Sequence, residues 1–319
     1  MEVINNMQLK NWLDVWLNKY AKHLIKLRTC VRYQYIIDKH INPILGDYEL
    51  EDLSAQTLQD FMLNKLNSGN LKTCKGLSNN TVIGIVNLLK QALGQAQALG
   101  YVEKEHSKMV KLPPSTEKEI TAFERAEQEK LEKYCINHKK KNYIGIVICL
   151  YSGIRLGELL ALTWNDLDFE RNYMHITKTA YKVKQNGVNV LVIDNPKTKN
   201  STRVIPLPKQ LMDVLKKIKK HSTSPYVITT KKNGIVGTRS YQRTYEKILQ
   251  RLGIPYKNFH CLRHTFATRA VEMGMDIKTL SEILGHKNPM ITLQRYTHSL
   301  MSYKTEMMNK LGKYLCVNF

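Results

Sequence analysis

A pair of adjacent prolines, Pro113-Pro114, constrains this chain more than any other feature. They lie in the polar run Val110 to Lys118, which no helix can cross, because proline lacks an amide donor and its ring clashes with the preceding turn. The patterns on either side differ in kind. Before the break, apolar residues recur at helical spacing. Leu9, Trp12, Leu13, Trp16 and Tyr20 mark one helix. A second is predicted from about Thr29 to His40, stopped by Pro43 and Gly46. Ser54 and Ser78 are in position to cap two more, the first carrying Leu58, Phe61, Met62 and Leu66, the second Val82, Val86, Leu89, Leu93 and Ala96, with Gly100 to end it.

After the break the pattern is mixed. Thr121-x-x-Glu124 reads as a capping box that opens the next helix. Asn172 to Thr177, Val188 to Ile193 and Arg203 to Pro206 are short β-rich runs, which predict a small antiparallel sheet. Helical spacing returns from Lys209 onward, through Arg239 to Leu252, Cys261 to Met273 and Ile277 to Leu284. The expected organisation is a helical domain over 1–110, a linker over 111–120, and a mainly helical domain with a small sheet over 121–319 that ends in an amphipathic tail.

Charge narrows the partner. Lys and Arg number 49 against 27 Asp and Glu, a formal net charge of +22, and they are spread along the chain rather than gathered in a tail. Such a field attracts polyanions, nucleic acid first among them. Lys139 to Lys141 and Lys216 to Lys220 are candidate backbone contacts or simply solvated faces. The six cysteines include no C-x-x-C pair, which argues against a zinc ribbon or a disulfide framework and suits a reducing, cytoplasmic setting. The longest strongly apolar stretch, Tyr143 to Leu150, is too short to span a bilayer, and Asn5, Asn6, Gln8 and Lys10 interrupt any signal peptide.

Five islands in the second region carry unusual chemistry. In Ser152-Gly-Ile-Arg155-Leu-Gly-Glu158, an arginine sits among leucines, either paired to Glu158 or held ready for a phosphate. Asn195-Pro-Lys197-Thr-Lys199-Asn-Ser-Thr-Arg203 reads as strand–turn–strand with lysines at the tip, where lysines are usually solvated. His260-Cys-Leu-Arg263-His264 places an acid/base and a cation three residues apart on one helix face. His260 and His264 also have the spacing of a zinc half-site, though no third ligand is evident, and His264 alone reads as an interior histidine. Leu284-Gly285-His286 ends a helix and presents a histidine beyond it, and Leu293-Gln-Arg-Tyr296-Thr-His298 offers a tyrosine that packing alone would also explain.

Together and in this order, the five islands resemble the tyrosine recombinase, or phage-type integrase, family over about residues 121 to 300. Residues 1 to 110 look, more weakly, like the helical core-binding domain of that family. The resemblance implies a DNA strand-cutting and rejoining enzyme. Tyr296 would be the nucleophile that forms a 3′-phosphotyrosyl intermediate, and Arg155 and Arg263 would clamp the phosphate. His260 would take the tyrosine proton, His286 would hydrogen-bond the phosphate, and Lys197 would protonate the departing 5′ oxygen, with Lys199 as the alternative acid. Glu158 would orient its neighbours. Cys261 occupies a position where many relatives carry an acid, which should tune the site.

No cofactor, metal or ATP is expected, since arginine cations neutralise charge where magnesium does so elsewhere. The implied partners are double-stranded DNA attachment sites, a homotetramer at synapsis (monomeric when free), and a DNA-bending accessory protein or excision factor, with no membrane. The implied location is the prokaryotic cytoplasm, at the nucleoid. An integrase of a mobile element is the leading expectation. Helical patterns begin almost at Met1, leaving no evident arm-binding domain, which keeps a Xer-like dimer resolvase as the second reading. A non-catalytic DNA-binding protein and a type IB topoisomerase are the remaining alternatives.

Overall fold

The computed structural model describes residues 7–116, 121–185, 188–194, 202–286, 288–296 and 301–315. The chain forms two compact units, one of residues 1–118 with 183–188 and the other of residues 119–182 with 189–319.

The first unit is helical. α1 (Leu9–Val15) runs on through a wider π turn at Trp16–Ala21. α2 (Leu27–Ile36) likewise passes through a π turn, Ile37–Ile41, into the short α3 (Asn42–Leu45). Pro43 therefore does not stop the chain's helical course; it sits in the first turn of α3, where its missing amide has no partner to lose. α4 (Ala55–Ser68) is capped by the Ser54 hydroxyl, which accepts from the Thr57 amide at 3.1 Å. α5 (Asn79–Ala98) is the long central helix, and Gly100 ends it with a φ of +76°. The apolar positions spaced along α1, α4 and α5 form the core of this unit, and Trp12 donates its indole N–H to the Ala92 carbonyl at 2.9 Å.

The proline segment is bound to this unit rather than loose. Gln59 accepts from the Lys111 amide at 3.0 Å, and Asn79 and Asn80 donate to the carbonyls of Pro114 and Thr116, each at 2.9 Å. The polar side chains satisfy backbone groups that proline prevents from pairing in a helix.

The second unit begins with Phe123, whose side chain is buried and whose amide donates to the Thr265 hydroxyl at 2.9 Å. α6 spans Arg125–Asn137. Its capping box is one turn later than Thr121-x-x-Glu124: Glu124 is the cap, and the Glu127 carboxylate accepts from the Glu124 amide. Anchoring of Phe123 to α11 keeps residues 121–123 out of the helix, which tertiary contact imposes against the local signal.

α7 (Ile144–Ser152) is apolar on all sides and lies in the centre of the unit, with α6, α8 (Leu156–Ala161) and α11 (Cys261–Glu272) packed on it. A helix apolar all round has to be buried on all sides. α9 (Lys209–Lys220) and α10 (Thr238–Arg251) complete this core, which also takes in buried residues of the sheet. β1 (Leu167–Asp168), β2 (Tyr173–Ile176) and β5 (Arg203–Pro206) form an antiparallel sheet in the order β1-β2-β5, with Met174 opposite Ile205 and Ile176 opposite Arg203. β3 (Thr179–Gln185) and β4 (Val188–Asp194) form a separate two-stranded ribbon. Among the described residues β4 pairs with β3 and β5 with β2; the lysine-bearing turn, residues 195–201, lies outside them. α12 (Ile277–Leu284), α13 (Pro289–Tyr296) and α14 (Met301–Leu315) follow, with α12 packed on α11, α13 and β5.

Candidate active site

The site is built around the C-terminal end of α12. An α-helix leaves its last four carbonyls without partners inside the helix. Here Gly285 adopts a left-handed φ of +65°, and the chain closes a Schellman turn: the His286 amide donates to Ser281 O and the Gly285 amide to Glu282 O, each at 3.0 Å. The next three carbonyls point outward from the turn, and each receives an arginine. Arg203 Nε donates to Ile283 O at 2.6 Å, Arg263 Nη2 to Leu284 O at 2.8 Å, and Arg155 Nη2 to Gly285 O at 3.1 Å. The negative end of the helix dipole favours cations at this place.

Each arginine reaches that point for a local reason. Arg155 follows Gly153, whose φ of +63° turns the chain out of α7. No side chain fits at Gly153, since a Cβ would lie 2.5 Å from Phe266 and 2.7 Å from Leu284. Arg155 then caps α8, and the Glu158 carboxylate accepts from the Arg155 amide at 2.9 Å. Arg263 is in the first turn of α11, 2% exposed, and donates Nη1 to Gly153 O at 2.8 Å. Arg203 faces inward because strand residues alternate: Ile205, two residues on, is buried, and Val204 between them is exposed.

Glu158 ties two of them together. One oxygen accepts from Arg155 Nη1 at 2.9 Å, the other from Arg203 Nη2 at 2.8 Å. Burial raises the Glu158 pKa, but the hydrogen bond and charge of Arg203, with the charge of Arg155, outweigh this and hold the carboxyl below its ordinary value. Three guanidiniums and one carboxylate leave an excess of +2. The side chain of Arg155 is 40% exposed, whereas those of Glu158 and Arg203 are 7% and 6% exposed. The charge is therefore backed from inside and offered outward at Arg155.

The histidines flank this group. His260 precedes α11 and is exposed, so it and the buried Arg263 share a helical turn at very different depths. Its ring meets His264 edge-on at 4.6 Å. His286 Nδ1 lies 2.7 Å from the hydroxyl of the buried Thr292, so the histidine is linked to α13, the helix whose last residue is Tyr296. Cys261 is buried, and that burial raises its thiol pKa, so it adds no negative charge beside His260. Among the described residues no three His, Cys, Asp or Glu side chains are grouped to hold a metal ion, and none of the helices is long and apolar enough to cross a membrane. Lys197 and Lys199 lie outside the described residues, and of Tyr296 the structure describes the backbone position alone.

Two site residues were not singled out by the sequence. Arg203 appears there as the last residue of the lysine motif, although its alternation with Val204 and Ile205 was a usable signal of a buried, hence paired, arginine. Thr292 carried no such signal.

Comparison with known proteins supplies the family. The description "Phage integrase family" matches residues 120–302, and "Phage integrase, N-terminal SAM-like domain" matches residues 8–67. The chain belongs to the phage integrase family. A tyrosine recombinase XerC-like protein of Caldanaerobacter subterraneus subsp. tengcongensis is 30% identical, over 96% of this chain and 83% of its own length. Two solved integrases share the fold. The Tn1549 transposon integrase in complex with a circular intermediate DNA superposes with a TM-score of 0.78 at 22% identity, over 96% of this chain and 99% of that one. A lambda integrase tetramer bound to a Holliday junction gives 0.66 at 19% identity, over 89% and 79%. This integrase-family chain is accordingly a tyrosine recombinase in fold and in class of reaction, the cutting and rejoining of DNA.

Proposed function

We propose that the protein integrates and excises a mobile element by site-specific recombination, with Tyr296 as the nucleophile. The observation that carries this is the arginine group at the end of α12, an outward-facing excess of positive charge beside the helix that ends in Tyr296. A phosphodiester with its nonbridging oxygens toward Arg155 and Arg263 would gather extra negative charge, as it becomes pentacoordinate, beside cations already fixed in place, of which Arg155 is the exposed one. The Tyr296 oxygen attacks phosphorus, its proton passes to His260, and the bond to the 5′ oxygen breaks as Lys197 protonates that oxygen. His286, steadied by Thr292, donates to the phosphate. The 3′-phosphotyrosyl bond conserves the energy of the original diester, so a 5′ hydroxyl of another strand rejoins it without ATP, and the arginines make a metal ion unnecessary.

The working assembly in this reading is a tetramer on two duplexes, with residues of α14 such as Leu311 and Leu315, exposed here, packing on a neighbouring protomer; the lambda integrase bound to a Holliday junction is likewise a tetramer. A double-stranded attachment site is the substrate, with an accessory bending or excision factor to set direction. The similarity to a XerC-like recombinase favours dimer resolution as the second reading. Mapping the DNA sites joined in cells separates the two. The chemistry is tested by incubation with a nicked duplex of that site in excess EDTA. A covalent adduct lost in Tyr296→Phe and retained in Tyr303→Phe is expected; an adduct formed by Tyr296→Phe refutes the assignment.

A further inference from the structure

Arg203 touches the framework of the site at more than one point. Its fork grips both Glu158 oxygens, at 2.8 Å and 3.3 Å, and its Nε holds the Ile283 carbonyl at 2.6 Å. Its guanidinium also rests against Gly285, where an added Cβ would come within 3.0 Å of Nη1 and 3.2 Å of Cζ. One side chain therefore joins three things: the carboxylate that orients Arg155, the last turn of α12, and the glycine that leads into His286. With 6% of the side chain exposed, it does this from behind the surface that Arg155 presents.

We infer that Arg203 is a positioning residue for strand cleavage, which sets Arg155 through Glu158 and sets His286 through the end of α12, without touching DNA. The inference rests on the roles given above to Arg155, His286 and Tyr296. Geometry makes the guanidinium specific. A lysine has a single compact head, which cannot bond two carboxylate oxygens and a carbonyl on the far side together. Displacement of a phosphate clamp by about 1 Å costs about a hundredfold in rate, even when the change is remote from the reacting atoms.

Removal of the charge has a second effect. Glu158 faces Arg155, Arg203 and the Cys149 thiol, and Asp166, His175 and Lys178 line the cleft beside it. Without Arg203, the burial of Glu158 is opposed mainly by the half-exposed Arg155. Its pKa then rises, and wherever the carboxyl is protonated Arg155 loses its anionic anchor. Ionisation returns as the pH increases, so an Arg203→Ala protein recovers toward high pH. Arg203→Lys keeps a cation beside Glu158 but not the fork, and its deficit does not vary with pH.

The test is single-turnover cleavage of a nicked attachment-site duplex at saturating protein, with affinity measured separately by gel shift. Arg203→Ala, Arg203→Lys, Tyr296→Phe and the remote core variant Leu215→Ala are compared with wild type. Both Arg203 variants are expected to bind within about threefold of wild type and to cleave about a hundredfold more slowly at neutral pH. The Arg203→Ala deficit is expected to narrow as the pH is raised. Cleavage within about threefold of wild type, or a loss no greater than that of a Leu215→Ala protein of equal Tm, overturns the inference. If Arg203→Ala does not fold, Arg203→Lys alone decides on rate. A Tyr296→Phe protein that cleaves normally would instead overturn the site assignment beneath it, whereas a dead Tyr296→Phe with active Arg203 variants refutes only the role of Arg203.

Discussion

Glu158→Gln removes the anion between two arginines while it keeps the shape of the side chain. The carboxylate accepts four bonds: from the Arg155 amide, Arg155 Nη1, and Arg203 Nη1 and Nη2. A glutamine retains one acceptor oxygen, and its NH2 group faces donors, so the two bonds to one oxygen are lost and replaced by donor–donor contacts. Loss of one partner of a buried ion pair costs about 3–5 kcal/mol. The Arg203 arm, 6% exposed against 7% for Glu158, carries most of this, and the Arg155 arm, 40% exposed and screened by solvent, adds under about 1 kcal/mol. We take about 3 kcal/mol as the net, which for a unit of about two hundred residues lowers Tm by about 6–12 °C. Glu158 has a folded pKa depressed below the unfolded value, so its stabilisation is complete above the unfolded pKa and is lost as pH falls through the folded one. The Tm difference between wild type and variant is therefore full at neutral pH and shrinks in acid. Scanning calorimetry at several pH values reads both. A neutral-pH Tm drop of under about 2 °C, or a difference that grows in acid, would refute the account of Glu158 as a buried, arginine-held anion.

Other consequences follow from the same site. Thr292→Val removes the hydroxyl that holds the His286 ring, and cleavage should fall about tenfold for a loss of about 1.4 kcal/mol of transition-state positioning; unaltered cleavage would mean that the contact is idle. Gly285→Ala adds a left-handed penalty of about 1–2 kcal/mol and pushes on Arg203, so it should lower both Tm and cleavage. Lys197→Ala should lose cleavage of an ordinary duplex and regain it on one whose scissile 5′ oxygen is replaced by sulfur, a leaving group that needs no proton. The same pattern in Lys199→Ala instead would reassign the acid.

Helices and their faces were readable one residue at a time. The α1 stripe from Leu9 to Trp16, the Ser54 cap of α4 and the glycine end of α5 depend on contacts within a turn or two, and sequence spacing records those directly. The order Arg155, Lys197, His260, Arg263, His286, Tyr296 was legible as a family resemblance, because it rests on residue type and position alone. The start of α6 was not: Thr121-x-x-Glu124 is a sound local signal, but the bonds from Phe123 to Thr265 and Arg269 keep the chain out of the helix until Glu124. Strand partners were not legible either. Residues 203–206 suit a strand whatever they pair with, and the choice of β2 over β4 is made by burying Ile205 against the same core as Met174.

The sequence by itself determined the identity and order of the side chains proposed to carry the chemistry, since both are read directly from the chain. Only the tertiary structure decided how they are held. Three arginines separated by up to 108 positions, Arg155 to Arg263, meet at three consecutive carbonyls because a helix end that has closed its Schellman turn still has unpaired oxygens, and a folded core brings distant donors to them. Long-range hydrogen bonds of that kind leave no spacing in the chain, which is why Arg203 reads in the sequence as the end of a turn and in the fold as part of the site.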